Sequence, residues 1–365
     1  MLIVGGGPAG LAVAAELRRA EIAFRVLERG PTIGHAWRNA YDSLTLHTGR
    51  HMSALPGMPF PRGTPLFPTK DQFWDYLDRY ARHHDLSVET GCEVRRLERS
   101  NDNWIATTTD GEIVAPHVVV ATGIMSNPLV PDIPGRERFR GRVMHSVEYR
   151  RPSDVTGQRV LVVGVGNSGG EIASELGLAG IETTVAVRSG ANVVPRQLAG
   201  IPIQYIATWM RKLPFGVRSR IASVVQNATE RAHGTPVIPR AKVSPLEAVP
   251  LIGFHLVDAI RAGRVTAKIA GLTHFTEHGV RFTDGSEATF DVVILATGFS
   301  PALASLGQLI RRDEKGFAAR TDRVASADQP GLYFVGQNYD STGALRNIGL
   351  DAPTVARHIA AAQKR

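Results

Sequence analysis

Two glycine-rich turns, Gly5-Gly6-Gly7-Pro8-Ala9-Gly10 and Gly164-Val165-Gly166-Asn167-Ser168-Gly169, each follow a short apolar run and open an amphipathic segment. The runs are Leu2-Ile3-Val4 and Val160-Leu161-Val162-Val163. The amphipathic positions are Leu11, Ala14, Ala15 and Leu17 after the first turn, and Ile172, Ala173 and Leu176 after the second. Strand, tight turn and helix in that order form the start of a dinucleotide-binding unit. The first glycine turns the chain, the second lets the backbone approach a pyrophosphate, the third packs helix on strand, and the helix N-terminus faces the phosphate. Two such turns in one chain predict an α/β fold of two dinucleotide-binding, Rossmann-like domains, and two dinucleotides.

The residue that ends each second strand distinguishes the ligands. After the first turn, Ala23-Phe24-Arg25-Val26-Leu27 runs into Glu28, where a carboxylate accepts hydrogen bonds from a ribose 2′-hydroxyl. After the second, Thr183-Thr184-Val185-Ala186-Val187 runs into Arg188-Ser189. A carboxylate there would repel a 2′-phosphate, whereas a guanidinium beside a hydroxyl pairs with one. The first site is expected to hold FAD and the second NADPH.

At 365 residues and 43% hydrophobic, the chain is long enough for two cores. The single cysteine, Cys92, excludes an internal disulfide, a CxxC redox pair and a cysteine-rich metal site, and suits a reducing cytoplasm. No metal-ligand spacing is present. No apolar run reaches transmembrane length, so no integral membrane segment is expected.

The net charge of +8 is unevenly placed. Between Arg188 and Lys242 stand nine Lys or Arg and one acid, Glu230. This basic stretch suits a side that attracts a multiply charged nucleotide. From Ile201 to Val225, Ile206, Trp209, Met210, Leu213, Phe215, Ile221 and Val225 alternate with basic residues, a pattern that a membrane-surface helix also shows. Pro202 and Pro214 interrupt the segment and favour a domain-covering or substrate-lining insert over that helix. Nucleic acid is not expected, because no recognition motif accompanies the charge.

In organisation, one domain is expected inside another. Residues 1–150 and 290–365 form the FAD-binding domain, and 151–289 the NADPH-binding domain with a basic, apolar helical insert at about 197–250. Within the first, a helix is expected over Lys70 to His84, strands near Ser87 to Leu97 and Asn103 to Thr109, a strand-turn at Val118 to Gly123, a returning strand at Gly331 to Gln337, and a closing helix from Thr354 to Gln363. In the second, strands Val265 to Ile269 and Gly279 to Thr283 are expected to flank a His/Glu turn. Pro128, Pro131 and Pro134 mark one crossover and Pro301 the other.

Phe139-Arg140-Gly141-Arg142-Val143-Met144-His145-Ser146-Val147-Glu148-Tyr149 stands just before the second glycine turn. It resembles the FxGxxxHxxx(Y/F) signature of the flavin-containing monooxygenases, class B flavoprotein monooxygenases. Ile33-Gly34-His35-Ala36-Trp37 is similar to the Gly-rich Trp turn of that family, and Leu295-Ala296-Thr297-Gly298-Phe299 to its LATGY/F box. Val187-Arg188-Ser189, Val194-Pro195-Arg196 and Asn167-Ser168-Gly169 resemble the YUCCA-like branch, whose plant members oxidise indole-3-pyruvate. Where Baeyer-Villiger relatives end the signature with Trp followed by Pro or Asp, this chain has Tyr149. His47 occupies a place where many relatives have an asparagine facing the flavin.

The resemblance implies an NADPH- and O2-dependent FAD monooxygenase, in which a C4a-(hydro)peroxyflavin oxygenates a small organic substrate: a nitrogen or sulfur nucleophile, or a 2-oxo acid such as indole-3-pyruvate. The cofactor carries the reaction, and the protein positions it and excludes water. Expected FAD contacts are Gly5, Gly7, Pro8, Ala9, Gly10, Glu28, Arg29, Trp37, Val94, Ala121, Thr122, Gly123 and Gly336. Expected NADPH contacts are Gly164, Gly166, Asn167, Ser168, Gly169, Arg188 and Ser189, with Ala296, Thr297 and Gly298 on the returning strand. Asn167 and His47 are the candidate catalytic residues, whereas His145 and Tyr149 are expected to organise the linker. The partners are then the substrate and O2, and a homodimer is compatible with the sequence. Three alternatives share the loops: a Baeyer-Villiger monooxygenase, a non-enzymatic NADPH sensor, and a flavin reductase serving another electron acceptor, of which the lone cysteine removes the disulfide version.

Overall fold

Each apolar run becomes the middle strand of a five-stranded parallel sheet. The computed structural model describes residues 1–234, 236–244, 246 and 250–363, the side chain of 230 excepted. Parts of the expected insert at 197–250, and the side chain of Glu230 within it, therefore lie outside the described residues.

In the first sheet the order is Leu332–Phe334, Val118–Val120, β1 (Leu2–Val4), β2 (Arg25–Glu28) and Glu89–Thr90, all parallel. A parallel strand is covered on both faces, so it reads as a continuous apolar run rather than an alternation. Leu2, Ile3, Val4 and Val118 to Val120 are accordingly all buried. Helix α1 (Pro8–Arg19) starts with proline at its first turn, where no N–H is needed, and ends on Arg18 and Arg19, which suit the negative end of the helix dipole. It packs against the C-terminal helix Ala344–Ala362. An antiparallel three-stranded sheet, Val94–Ser100, Asn103–Thr108 and Gly111–Ala115, adds Leu97, Trp104 and Ala106 to the same core.

The second sheet repeats the plan with Val265–Lys268, β4 (Thr183–Ala186), β3 (Val160–Val163), Val292–Leu295 and Arg142–His145, again all parallel. Helix α2 (Asn167–Leu178) follows β3 as α1 follows β1. The architecture is thus two Rossmann-like domains, the second inserted in the chain of the first.

Two compact units result: 1–39, 48–127 and 299–365 form one, and 40–47 with 128–298 the other. These limits differ from the expected 150/151 and 289/290. Strands Arg142–His145 and Val292–Leu295 complete the second sheet beside β3, and pairing carries their flanks with them.

Local expectations also change. The closing helix begins at Ala344 rather than Thr354, with Pro353 inside it. Leu345, Ile348, Ala352, Val355, Ala356 and Ile359 recur at helical spacing and are buried, and this packing outweighs the backbone bond that proline removes. The Glu277-His278 turn joins Gly279–Phe282 to Leu272–Phe275, a strand not expected, whereas Val265–Lys268 belongs to the parallel sheet. In the insert, Pro202 and Pro214 are the N-caps of α3 (Ile203–Met210) and α4 (Phe215–His233), so they start two helices rather than interrupt one. No helix of the described residues is long and apolar enough to cross a membrane.

Candidate functional site

The two glycine turns are geometrically equivalent. Gly5 has φ +113° and Gly164 φ +108°, a left-handed backbone that glycine adopts without steric cost. A Cβ on either would meet the carbonyl of the neighbouring strand end at 2.5 Å, Ala121 O for Gly5 and Ala296 O for Gly164. A Cβ on Gly10 would overlap the Gly5 carbonyl, and one on Gly169 the Gly164 carbonyl. At the middle positions, Gly7 and Gly166, nothing lies within 4 Å. The first and third glycines are therefore required by the protein's own packing, and the second faces open space at a helix N-terminus. That cradle fits a pyrophosphate in each unit.

In the first unit, the Glu28 carboxylate accepts from the amides of Gly6 at 2.8 Å and Gly30 at 2.7 Å, which hold it at the mouth of the turn with lone pairs to spare for ribose hydroxyls. Pro8 and Ala9 start α1, and a Cβ on Gly336 would touch Ala9 Cβ at 3.3 Å, so the returning strand reaches the same helix start. Thr122 donates its hydroxyl to Ala302 O at 2.7 Å, and Gly123 has φ +65°. Trp37 packs edge-on to Phe73 with ring centres 4.6 Å apart. Arg29 is exposed, 3.9 Å from Glu93, and Val94 opens the antiparallel sheet.

In the second unit, Asn167 Oδ1 accepts from the Ile252 amide at 2.8 Å, tying the start of α2 to Leu251–Ile252. Arg188 is exposed two residues past the end of β4, its stem against Gly271, where a Cβ would stand 3.1 Å from Arg188 Cγ. Ser189 is exposed beside it. Thr297 donates to Leu129 O at 2.5 Å, and the Gly298 carbonyl accepts from the Leu129 amide at 2.9 Å. His145 Nδ1 accepts from the Val147 amide at 3.2 Å, so in the neutral ring the proton is on Nε2, which donates to Gly298 O at 3.0 Å. Burial lowers the His145 pKa and keeps that tautomer neutral. It braces the crossover.

The structure adds a polar cluster on one face of α2. His47 Nε2 lies 2.7 Å from Glu171 Oε1, and the Tyr41 hydroxyl donates to Glu171 Oε2. One turn on, Tyr149 donates to Glu175 at 2.9 Å. Burial pushes the Glu171 carboxyl up, but hydrogen bonds from His47 and Tyr41 outweigh it and hold the pKa below its ordinary value, so the group is ionised. Burial, with the Glu171 charge behind it, pushes the Tyr41 hydroxyl well up. For Glu175 burial prevails and raises the carboxyl. Arg196 donates to Leu46 O at 2.5 Å, and His255 is lowered by burial while feeling the Glu171 charge. These contacts fasten segment 40–47 to α2. Glu171, Tyr41, Glu175 and His255 carry no signal in the sequence, since carboxylates on a helix are ordinary. Arg196 was visible only through Val194-Pro195-Arg196.

Duplicated Rossmann-like units with a dinucleotide cradle in each define a flavoprotein oxidoreductase that also uses a pyridine nucleotide. A family model described as pyridine nucleotide-disulphide oxidoreductase matches residues 2–212. The chain is 34% identical over 373 residues to the indole-3-pyruvate monooxygenase YUCCA1 of Oryza sativa subsp. japonica, covering 98% of this chain and 90% of that one. With the probable indole-3-pyruvate monooxygenase YUCCA7 of Arabidopsis thaliana it shares 32% over 98% of this chain and 87% of the relative. Among solved structures, a mutant flavin monooxygenase from Stenotrophomonas maltophilia has a TM-score of 0.77 at 25% identity, covering 99% of this chain and 98% of that one. Cyclohexanone monooxygenase, at 20% identity and a TM-score of 0.76, shares the fold. The chain belongs to the pyridine nucleotide-disulphide oxidoreductase family and, within it, to the flavin-containing monooxygenases, with the YUCCA-like branch. It is an FAD monooxygenase. Its one cysteine, Cys92, is buried and free, so the disulphide chemistry in the family's description has no dithiol here.

Proposed function

We propose that the chain is an NADPH-preferring FAD monooxygenase that acts in the cytoplasm on a small 2-oxo acid such as indole-3-pyruvate. The observation that carries the nucleotide preference is the cation just past the second strand: Arg188 stands, exposed, two residues beyond Ala186, one position further along than Glu28 stands beyond Leu27 in the first unit, and no carboxylate lies between. The substrate class is supported by the printed activity of the relatives, which are similar over 98% of this chain.

Bound flavin supplies hydride acceptance from the nicotinamide and activation of O2. The residues of this chain bind and orient. Gly5, Gly7 and Gly10 admit one pyrophosphate, and Gly164, Gly166 and Gly169 the other. Glu28 takes ribose hydroxyls, and Arg188 with Ser189 takes a 2′-phosphate. Val94, Ala121 to Gly123, Trp37, Arg29 and Gly336 frame the FAD side, and Ala296 to Gly298 the nicotinamide side. Glu171 fixes His47 through Nε2, which leaves Nδ1 to accept or hold a proton. Asn167, already committed to Ile252, positions the loop.

For a 2-oxo acid the reaction balances as R-CO-COOH + O2 + NADPH + H+ giving R-COOH + CO2 + NADP+ + H2O. The test is oxygen uptake and NADPH oxidation by the FAD-loaded protein with 2-oxo acids, amines, sulfides and ketones in parallel, with product analysis. Stimulation by 2-oxo acids with release of CO2 is the expected result. Stimulation by amines or sulfides alone would replace the substrate class, and equal use of NADH would remove the role of Arg188.

A further inference from the structure

The insert ends α3 and starts α4 in a sharp corner. The last turn of α3 closes at Arg211, Leu213 N bonds Met210 O, and Pro214 caps α4. Around this corner four large apolar side chains stand in solvent within nine residues: Trp209 is 63% exposed, Leu213 41%, Phe215 49% and Val217 45%. Single exposed apolar residues are ordinary on a protein surface, but a cluster ringed by polar groups marks an interaction site. The flanking charge in the sequence is of one sign. Arg211, Lys212, Arg218 and Arg220 flank the cluster, and no Asp or Glu occurs anywhere between residues 201 and 229. The Arg218 guanidinium lies over the Phe215 ring, 5.5 Å from its centre, so cation and ring present themselves together.

We propose that this corner, residues 209–220, docks on an anionic lipid surface. The boundary between headgroups and acyl chains offers apolar depth for Trp209, Leu213, Phe215 and Val217, and negative charge at the level of the flanking cations. A nucleic acid would satisfy the cations but leave the aliphatic Leu213 and Val217, which have no face to stack on bases, in water. Because Pro214 starts a second helix, it shapes the protruding corner rather than breaking an interfacial helix. The surface is independent of the nucleotide and substrate assignments.

The test uses FAD-loaded protein co-sedimented with phosphatidylcholine vesicles, with and without phosphatidylglycerol. Sedimentation is expected only with the anionic vesicles and is expected to fall as salt rises. Each cation contributes about fivefold to the partition, so Lys212→Glu with Arg220→Glu weakens it by more than an order of magnitude. Trp209→Ser with Phe215→Ser abolishes it while cofactor content and absorbance spectrum stay as in the parent, which shows that the fold is retained. Failure of the parent protein to sediment with phosphatidylglycerol vesicles would overturn the proposal, as would undiminished binding by both double variants. So would light scattering that finds a dimer dissociated by the Trp209/Phe215 changes, because the corner would then join two copies of the chain.

Discussion

Alanine at Gly166 and at Gly169, introduced one at a time, separates two roles that the glycine turn combines. At Gly169 the new methyl overlaps the Gly164 carbonyl and comes within 3.0 Å of Ala296 Cβ. Neither neighbour can yield easily: Gly164 is held by its left-handed backbone, and Ala296 by a hydrogen bond that its amide donates to Val163 O at 2.9 Å. Overpacking of this kind costs about 1–3 kcal/mol. At about 2–4 °C per kcal/mol for a unit of this size, Tm falls by about 2–12 °C. At Gly166 the methyl meets nothing within 4 Å, and the backbone, φ −74° and ψ −174°, suits alanine. As the N-cap of α2, where alanine caps less well than glycine, the position should lose no more than about 1 kcal/mol. The methyl instead stands on the approach of the pyrophosphate, so NADP+ affinity should drop at least about tenfold, or 1.4 kcal/mol. Thermal unfolding without nucleotide and fluorescence titration with NADP+ measure the two effects separately. If Gly166→Ala bound NADP+ as tightly as the parent, the open space at this glycine would not be the nucleotide cradle, whatever Gly169→Ala did.

Three further outcomes follow from named contacts. Arg188→Ala should lower kcat/KM for NADPH by about 10- to 150-fold, the loss of a charge-assisted bond of about 1.5–3 kcal/mol, and leave NADH nearly unchanged; equal losses with both nucleotides would contradict a 2′-phosphate contact. Glu28→Ala should release flavin during gel filtration, because the ribose acceptor and the anchor of the Gly6 and Gly30 amides are lost together; an unchanged ratio of flavin to protein absorbance would count against it. Glu171 has a folded pKa below its ordinary value, so its stabilisation is complete above about pH 4.3 and is lost as pH falls through the lower folded value. Glu171→Gln should flatten that acid limb of a Tm-against-pH curve, and an unaltered limb would show that the carboxylate is not held as described.

Much of the fold is written locally. Parallel strands buried on both faces need unbroken apolar runs, so Leu2 to Val4 and Val160 to Val163 declare themselves, and the glycines after them report turns that a Cβ would block. Glu28 and Arg188 are legible for the same reason, since a strand followed by a glycine-led helix places its second-strand end at the turn. The linker signature around His145 is legible as a pattern, although what it does, holding the Gly298 carbonyl through one ring nitrogen, depends on a residue far along the chain.

Long-range pairing decided the rest. Arg142 to His145 and Val292 to Leu295 look like neighbours of the first domain in sequence, but hydrogen bonding to the second sheet moves them. Pro353 reads as a helix start because proline lacks an N–H, yet burial of Leu345, Ile348 and Ala352 against other parts of the chain extends the helix through it. Glu171 shows the limit most plainly. As a helix glutamate it has no distinguishing neighbour in the sequence, and it becomes an ionised, half-buried acceptor only because Tyr41 and His47, more than a hundred residues earlier, fold onto it. A sequence shows backbone and packing requirements that a residue meets with its own neighbours. The ionisation and role of a side chain are set by desolvation and by partners, and those exist only once the tertiary structure has brought them together.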